Sequence, residues 1–553
     1  MSLDGGNIII VKKVPDMFYA DTIFINGNIY TLDDDNPRAR ALALWKGEFL
    51  AAGDEEGCEV FKGPDTRVID LEGRTVLPGF NDTHCHLLSL RGQQLLQLDC
   101  SSGKVKSIDD ILELVKKAVE TTPKGQWILA GSLDPAKLAE KRPPTRLELD
   151  RVAPQHPVHI RAQSCHMGVV NSRGFSLAGI TADTPNPPGG EFEKDSRGEL
   201  TGICKEEAHF LFVTGMGGGT SFVPSYTPEQ YLKALELACK EYNRYGITSV
   251  GDALINPPEI RAYTQAYNTG TLTVRVYMIV LDINLPLIKQ LGLSSGFGNE
   301  WVRMGGIKSF VDGAIAGHTA WVSEPYLNRP DYYGIPTKTP EEIEALVMDA
   351  HGAGLQMEIH ANGDRAIEMV LDAYEKAQER IPRRDPRHRI AHCTVVNDKI
   401  LERIKRLGVV VCPFVSYVWE HGDKMGPYGN RIERMFAHRS FLDRRIPVGA
   451  SSDNPCGTQH PYQALQAMVT RVSSTGEALG LSQKISLEEA LKIYTQGSAY
   501  ATFEENRKGK LKTGMLADFI VVSQDPFTID PFGLHELQTL QTYVGGKLVY
   551  NAL

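Results

Sequence analysis

The sequence predicts an α/β protein: a (β/α)8 TIM barrel that carries a small β-sandwich built from both termini and a subdomain inserted after strand one. Three observations predict it. Eight short β-rich runs in the middle of the chain alternate with amphipathic stretches, both ends of the chain read as strands only, and a long excursion separates the first β run from the second. A chain of 553 residues has room for a barrel and two smaller units.

The amino-terminal segment is strand-like throughout. Residues 20–30 (ADTIFINGNIY) alternate around an Asn-Gly turn signal, residues 41–52 continue with Trp45-Lys46-Gly47-Glu48 as another turn, and residues 68–77 repeat the pattern. At the far end, residues 514–522 and 542–550 (TYVGGKLVY) read the same way. Neither piece is large enough to close a core alone, so residues 1–77 and 506–553 are expected to form one composite sandwich. Residues 78–505 are then the barrel. Its β runs are 76–83, 246–251, 272–280, 305–311, 355–360, 388–392, 409–412 and 446–451, with helices at 340–351, 364–380 and 398–407 among them. The excursion, roughly residues 95–227, has strands of its own at 127–131 and 157–161 and a Pro/Gly-rich tract at 184–190. It reads as a cover over the barrel mouth.

Composition narrows the function. With 42% hydrophobic and 23% charged residues and a net charge of −9 spread over its length, the chain has the composition of an ordinary soluble globular protein, and nucleic acid is not an expected partner. Nine cysteines without a CxxC argue for reduced thiols in the cytoplasm and against a cysteine-based zinc site. No run reaches the ~18 to 20 apolar residues of a membrane span, and residues 1–16 lack the apolar region of a signal peptide. The expectation is a cytoplasmic protein with a small-molecule substrate and no membrane partner, a homodimer being compatible with it.

The chemistry-bearing residues fall at the ends of the β runs. In GFNDTHCHL, His84 and His86 are two apart, so a strand would turn both imidazoles to one side, the geometry of half a metal site. The fourth run places Lys308 inside an apolar strand; the fifth ends in His360, the sixth in His392, and the eighth runs out into Asp453. Each is ordinary alone: a strand lysine is usually an edge residue, and a histidine after an apolar run is usually a core histidine. Their coincidence decides, because a barrel gathers all strand ends at one mouth. Four imidazoles and a carboxylate suit zinc or a similar divalent ion. Five ligands exceed one tetrahedral shell with an open position, and a second metal would need a bridging anion, which an ammonium cannot be. The chain has no GxSxG elbow, phosphate-binding P-loop or dinucleotide fingerprint.

The order HxH, Lys, His, His and Asp on successive barrel strands, inside a sandwich made from both termini, resembles the amidohydrolase superfamily. More narrowly it is similar to the branch containing N-substituted formamide deformylase and uncharacterised metal-dependent hydrolases. The stretches that carry the likeness are GFNDTHCHL at 79, GGIKSFVDG at 305, EIHANGDRAI at 358, RHRIAHCTV at 387, GASSDNP at 449 and the segment from Leu487 to Val522. The resemblance implies two zinc ions per chain, held by His84, His86, Lys308, His360, His392 and Asp453, with Lys308 carboxylated by carbon dioxide to supply the bridging anion. It implies hydrolysis of a non-peptide C–N bond, in an amide, an N-formyl compound or a cyclic amide, by a metal-activated hydroxide, with Asp453 moving the proton. His166, in QSCHMGVVNS, and His318, where relatives usually have Ser-Arg, are candidate substrate contacts. A mononuclear deaminase of the same superfamily and a catalytically silent ligand-binding barrel are the alternatives.

Overall fold

The computed structural model describes residues 19–213 and 221–553, so the reading of residues 1–16 lies outside the described part. The middle of the chain forms a seven-stranded parallel sheet that curls into a barrel. Its strands, in spatial order, are Phe80–Cys85, Ile247–Ile255, Arg275–Leu281, Val302–Phe310, Gln356–Ala361, Arg389–His392 and Val410–Cys412. The eighth run, residues 446–451, is not a regular strand. It bridges Val411 to Val448 and Phe414 to Ser451 on one side. On the other, Thr83 N–H donates to the Ala450 carbonyl at 2.8 Å and Asp453 N–H to the His84 carbonyl at 2.9 Å. Pro447, Gly449 and the turn at 452–455 interrupt the ladder, yet these bonds close the ring.

Alternation along the strands divides core from interior. Ile307, Met357, Ile359 and Ile390 point outward and pack with Ile343, Val347, Ile367 and Val370 of the surrounding helices in one large apolar cluster. Their neighbours Lys308, Glu358 and Arg389 lie opposite one another in adjacent strands and point inward. Helices Pro340–Gly352, Asp364–Arg380 and Asp398–Leu407 fall where expected, because amphipathic periodicity and caps agree. Thr339 and Glu342 make a capping box for the first. The second begins at Asp364 after Gly363, and the Asp364 carboxylate accepts from Ser323 N–H.

The terminal segments meet. Thr75–Pro78 pairs with Phe519–Val522, which pairs with Thr539–Val544, so strands from both ends of the chain share one six-stranded sheet. A four-stranded sheet from residues 22–70 packs against it through Phe24, Leu42, Phe49, Phe519 and Tyr543. The Trp45-Lys46-Gly47-Glu48 turn is a hairpin as expected. The Asn26-Gly27 signal is not: Thr22–Ile25 and Asn28–Tyr30 belong to different sheets, and Asn26, at φ 54°, turns the chain from one layer to the other. Between the first two barrel strands, residues 98–206 form another six-stranded sheet, which includes Ile128–Leu133 and Val158–Ala162. Among the described residues, no helix is long and apolar enough to cross a membrane.

Candidate metal centre

His84 lies near the end of Phe80–Cys85 and His86 just beyond it, both buried. The Nε2 atoms of both rings lie 3.1 Å from Oδ1 of Asp453. Their other nitrogens are already engaged: His86 Nδ1 faces the Ala253 carbonyl at 3.2 Å, and His84 Nδ1 contacts the Glu358 carboxylate. A carbonyl oxygen only accepts, so His86 Nδ1 carries the proton. His84 is kept neutral, its pKa pushed down to about 4 by burial and next by the charge of Lys308, so one proton, donated to Glu358, leaves its Nε2 bare. The Nε2 atoms of both rings and a carboxylate oxygen therefore converge on one point. Burial opposes charge on Asp453, but the surrounding imidazoles of His392, His84 and His86 more than offset it and hold the pKa well below the usual range. This donor set fits a divalent cation.

Asp453 is placed by Asp82, two residues before His84 on the same strand face. The Asp82 carboxylate accepts from the N–H and the hydroxyl of Ser452, which ties the 451–454 turn to the strand. Asp453 itself takes φ 56° and His392 φ 72°, both in the left-handed region that non-glycine residues enter rarely. Strict alternation from Ile390 would aim His392 at the helices. The unusual φ instead lays its ring on Phe414, 4.0 Å between centroids, and 4.5 Å from that of His360. His360 Nε2 lies 3.1 Å from both the Gly313 carbonyl and the Asn362 side-chain nitrogen.

Lys308 points into the same barrel interior. It is fully buried, its Nζ has no hydrogen-bond partner, and burial pushes its pKa down to about 7. The inward row Lys308–Glu358–Arg389 lies beneath the histidines; Arg389 pairs with Glu358 and donates to the Thr83 carbonyl at 2.8 Å. Glu358 and Arg389 escaped the sequence reading. The signal was there, since Glu358 stands two residues before His360 and so shares its face.

A cavity of about 170 Å³ opens over this centre, with His360, Asp453 and Phe414 on its barrel side. Met167, Gln163 and His166 of the inserted sheet cover it. Burial alone would lower the His166 pKa, but the Glu206 carboxylate, 2.7 Å from Nδ1, raises it to about 9, so the wall carries an imidazolium. His318 lies elsewhere: its ring sits against Tyr326 and Tyr428, and Nε2 meets the Lys424 carbonyl at 2.8 Å. Tyr462 lies in the main core and Trp321 packs against it, and Phe414 lines the cavity.

A closed parallel barrel with titratable residues gathered at the carboxyl ends of its strands, beneath a covering insert, is the architecture of a (β/α) barrel enzyme. Residues 67–550 match the Amidohydrolase family, and the chain belongs to it. It is 31% identical to the N-substituted formamide deformylase of Arthrobacter pascens over 96% of this chain and 98% of that one. It is 32% identical to the Bacillus subtilis (strain 168) protein YtcJ, over 96% and 99%. Among solved structures, an uncharacterized metal-dependent hydrolase from Pyrococcus horikoshii superposes with a TM-score of 0.75 at 27% identity, covering 92% of this chain and 99% of that one.

Proposed function

We propose that this chain is a metal-dependent hydrolase of a non-peptide C–N bond in a small amide, an N-formyl amine being the first candidate. The observation that carries the reading is the meeting of the His84 and His86 Nε2 atoms with the Asp453 carboxylate. His84, His86 and Asp453 would hold one divalent ion, zinc by donor type, and His360, His392 and Lys308 would complete the set for a second. When bound, such ions acidify a water molecule and polarise a carbonyl.

The chain's own groups do the rest. Asp453, ionised and facing the cavity, accepts a proton from the attacking water and returns it to the leaving nitrogen. The His166 imidazolium offers a cationic donor on the covering wall, in reach of a substrate oxygen. With a pKa of about 7, the Lys308 amine is substantially neutral at physiological pH, the form that adds to carbon dioxide. That step forms an N–C bond and releases one proton, and the resulting carbamate supplies the anion a two-metal site needs. Ile315, Phe414 and Tyr417 give the cavity an apolar wall suited to a hydrocarbon substituent on nitrogen. The name of the Arthrobacter pascens relative supports an N-formyl substrate.

The test is amine release by the zinc-loaded enzyme from a panel of N-formyl amines, longer N-acyl amines, cyclic amides and ring amidines, with and without a chelator. Turnover of an N-formyl or N-acyl amine that a chelator abolishes is expected. One observation favours a second reading: among the described residues, His84, His86 and Asp453 are the only His, Cys, Asp or Glu group whose ligand atoms lie within 4.8 Å of one another. A mononuclear deaminase would need no more than these and His360. It predicts close to one metal per chain and turnover of ring amidines; the amide hydrolase predicts close to two.

A further inference from the structure

Two thiols meet at the rim of the catalytic cavity, one from each side. Cys165 stands in the turn that joins Val158–Ala162 of the insert to Met167–Val170, and Cys456 in the turn after Asp453 on the barrel, where its N–H donates to the Asp453 carbonyl at 2.8 Å. Seven of the nine cysteines are buried; Cys165 and Cys456 are the two that are only half-buried. Cys456 also lines the cavity, so a small solute that enters there meets it. The two turns are held against each other. Cys456 Sγ lies 3.5 Å from the carbonyl oxygen of Ser164, the residue before Cys165, and the two thiols are themselves in hydrogen-bond contact. Beside them the Gln163 amide donates to Glu420 at 3.3 Å, and the other oxygen of that carboxylate accepts from Thr458 N–H at 2.7 Å.

The turn on the insert is strained. Cys165 takes φ 61°, in the left-handed region that non-glycine residues enter rarely, and its Sγ folds back to 3.6 Å from the Gln163 carbonyl. The contact with Cys456 lowers the Cys165 pKa; burial opposes that, and the Arg161 charge adds to it, so Cys165 is the more nucleophilic of the two. We propose that Cys165 and Cys456 form a peroxide-sensitive dithiol that closes into a disulfide and pins the insert over the barrel mouth. The Cys165 sulfur attacks one oxygen of hydrogen peroxide, the O–O bond breaks, and the departing hydroxide takes the thiol proton and leaves as water. Cys456 then attacks the resulting sulfenic acid: the S–S bond forms as the S–O bond breaks, and the Cys456 proton leaves with that oxygen as a second water. In formal count each sulfur gives up one electron and each peroxide oxygen takes one. From hydrogen-bond contact the sulfurs close to the ~2.05 Å of a disulfide by adjustment within these two turns, and a small thiol reopens the link. The link needs no metal and no particular reaction in the cavity, so it stands whether or not the hydrolase reading does.

Peptide mapping of the full chain tests it: hydrogen peroxide is added to the folded protein, the remaining thiols are alkylated under denaturing conditions, and the digest is analysed by mass spectrometry without reductant. A pair of peptides joined through Cys165 and Cys456, two hydrogens lighter than the separate peptides, is expected to form at least about tenfold faster than any of the seven buried cysteines is oxidised. Dithiothreitol is expected to remove it, and the linked protein to migrate as a single chain in a non-reducing gel. Recovery of both cysteines as alkylated thiols, a sulfinic acid on either without the link, or a link to another cysteine or a second chain overturns the proposal. Cys456→Ser is expected to leave on Cys165 a sulfenic acid that dimedone labels, and no label overturns the order of attack; should that variant fail to fold, the map of the unaltered chain decides alone. Amide hydrogen exchange tests the pinning: residues 163–167 and 454–458 are expected to exchange several-fold more slowly in the linked chain than in the reduced one, and unchanged exchange overturns it.

Discussion

Lys308 and Lys508 both bury their amines against barrel strands, and their partners differ. Lys508 stands where the strands begin: its ammonium pairs with Glu504 at 2.7 Å and donates to the Ser249 hydroxyl at 2.9 Å, near the start of Ile247–Ile255. Lys308 stands near the carboxyl end of Val302–Phe310 with its amine over the Phe310 ring at 4.7 Å and, among the described residues, no hydrogen-bond partner. Burial lowers the pKa of both, partly offset by Glu504 in one case and by Asp453 in the other. Burial of a lysine therefore says little about its role. The unmet amine does, since a chain that satisfies one buried lysine and leaves the other bare has kept the bare one for something absent from the polypeptide.

The largest effects should come from the mouth. Asp453→Asn keeps the shape but loses the base, and kcat is expected to fall by about 10²–10⁴-fold with the circular dichroism spectrum unchanged; a mild loss would move the proton shuttle elsewhere. Lys308→Ala should abolish activity and lower bound metal, with partial recovery when a short-chain carboxylic acid is added to take the bridging place. Activity measured alongside metal analysis checks both halves of that statement.

At the other end the effect should be on stability. Lys508→Met leaves Glu504 buried beside only Arg303, at 3.4 Å, and is expected to cost about 3–5 kcal/mol in urea unfolding, while activity per folded molecule persists. Adding Glu504→Gln should recover part of the loss. If Lys308→Ala proved as destabilising as Lys508→Met, the contrast between the two lysines would fail.

The smallest effect is a pH slope. In the metal-free chain, kept free of carbon dioxide, Lys308 has a folded pKa of about 7, against about 10.4 when unfolded. Between these values the unfolded chain binds the extra proton, so this lysine makes stability rise with pH over the window, its contribution being complete above about 10.4 and lost as pH falls through 7. Urea midpoints across the window should rise less steeply in Lys308→Met.

The barrel was legible because its signals are local. Seven of the eight runs are strands, and helix 364–380 has the bounds its periodicity gave. The eighth run escaped regular structure because its closing bonds go to residues 83–84 and 411–415, partners far away in sequence. The inserted sheet showed only two of its strands, since its short antiparallel pieces depend on pairing rather than on propensity. The ligand positions were legible from strand ends, but the φ that re-aims His392 and the Asp82–Ser452 tie that sets Asp453 are products of tertiary closure. His318 stood out by its place in a motif, and its ring went to Lys424 and two tyrosines.

Carbon-13 NMR of the zinc-loaded enzyme, reconstituted with ¹³C-bicarbonate, tests the central claim about Lys308 most directly. A carbamate resonance is predicted that appears with metal, rises with the pH of reconstitution through about 7, and is missing from Lys308→Ala. A zinc-loaded, active enzyme with no such resonance would contradict it.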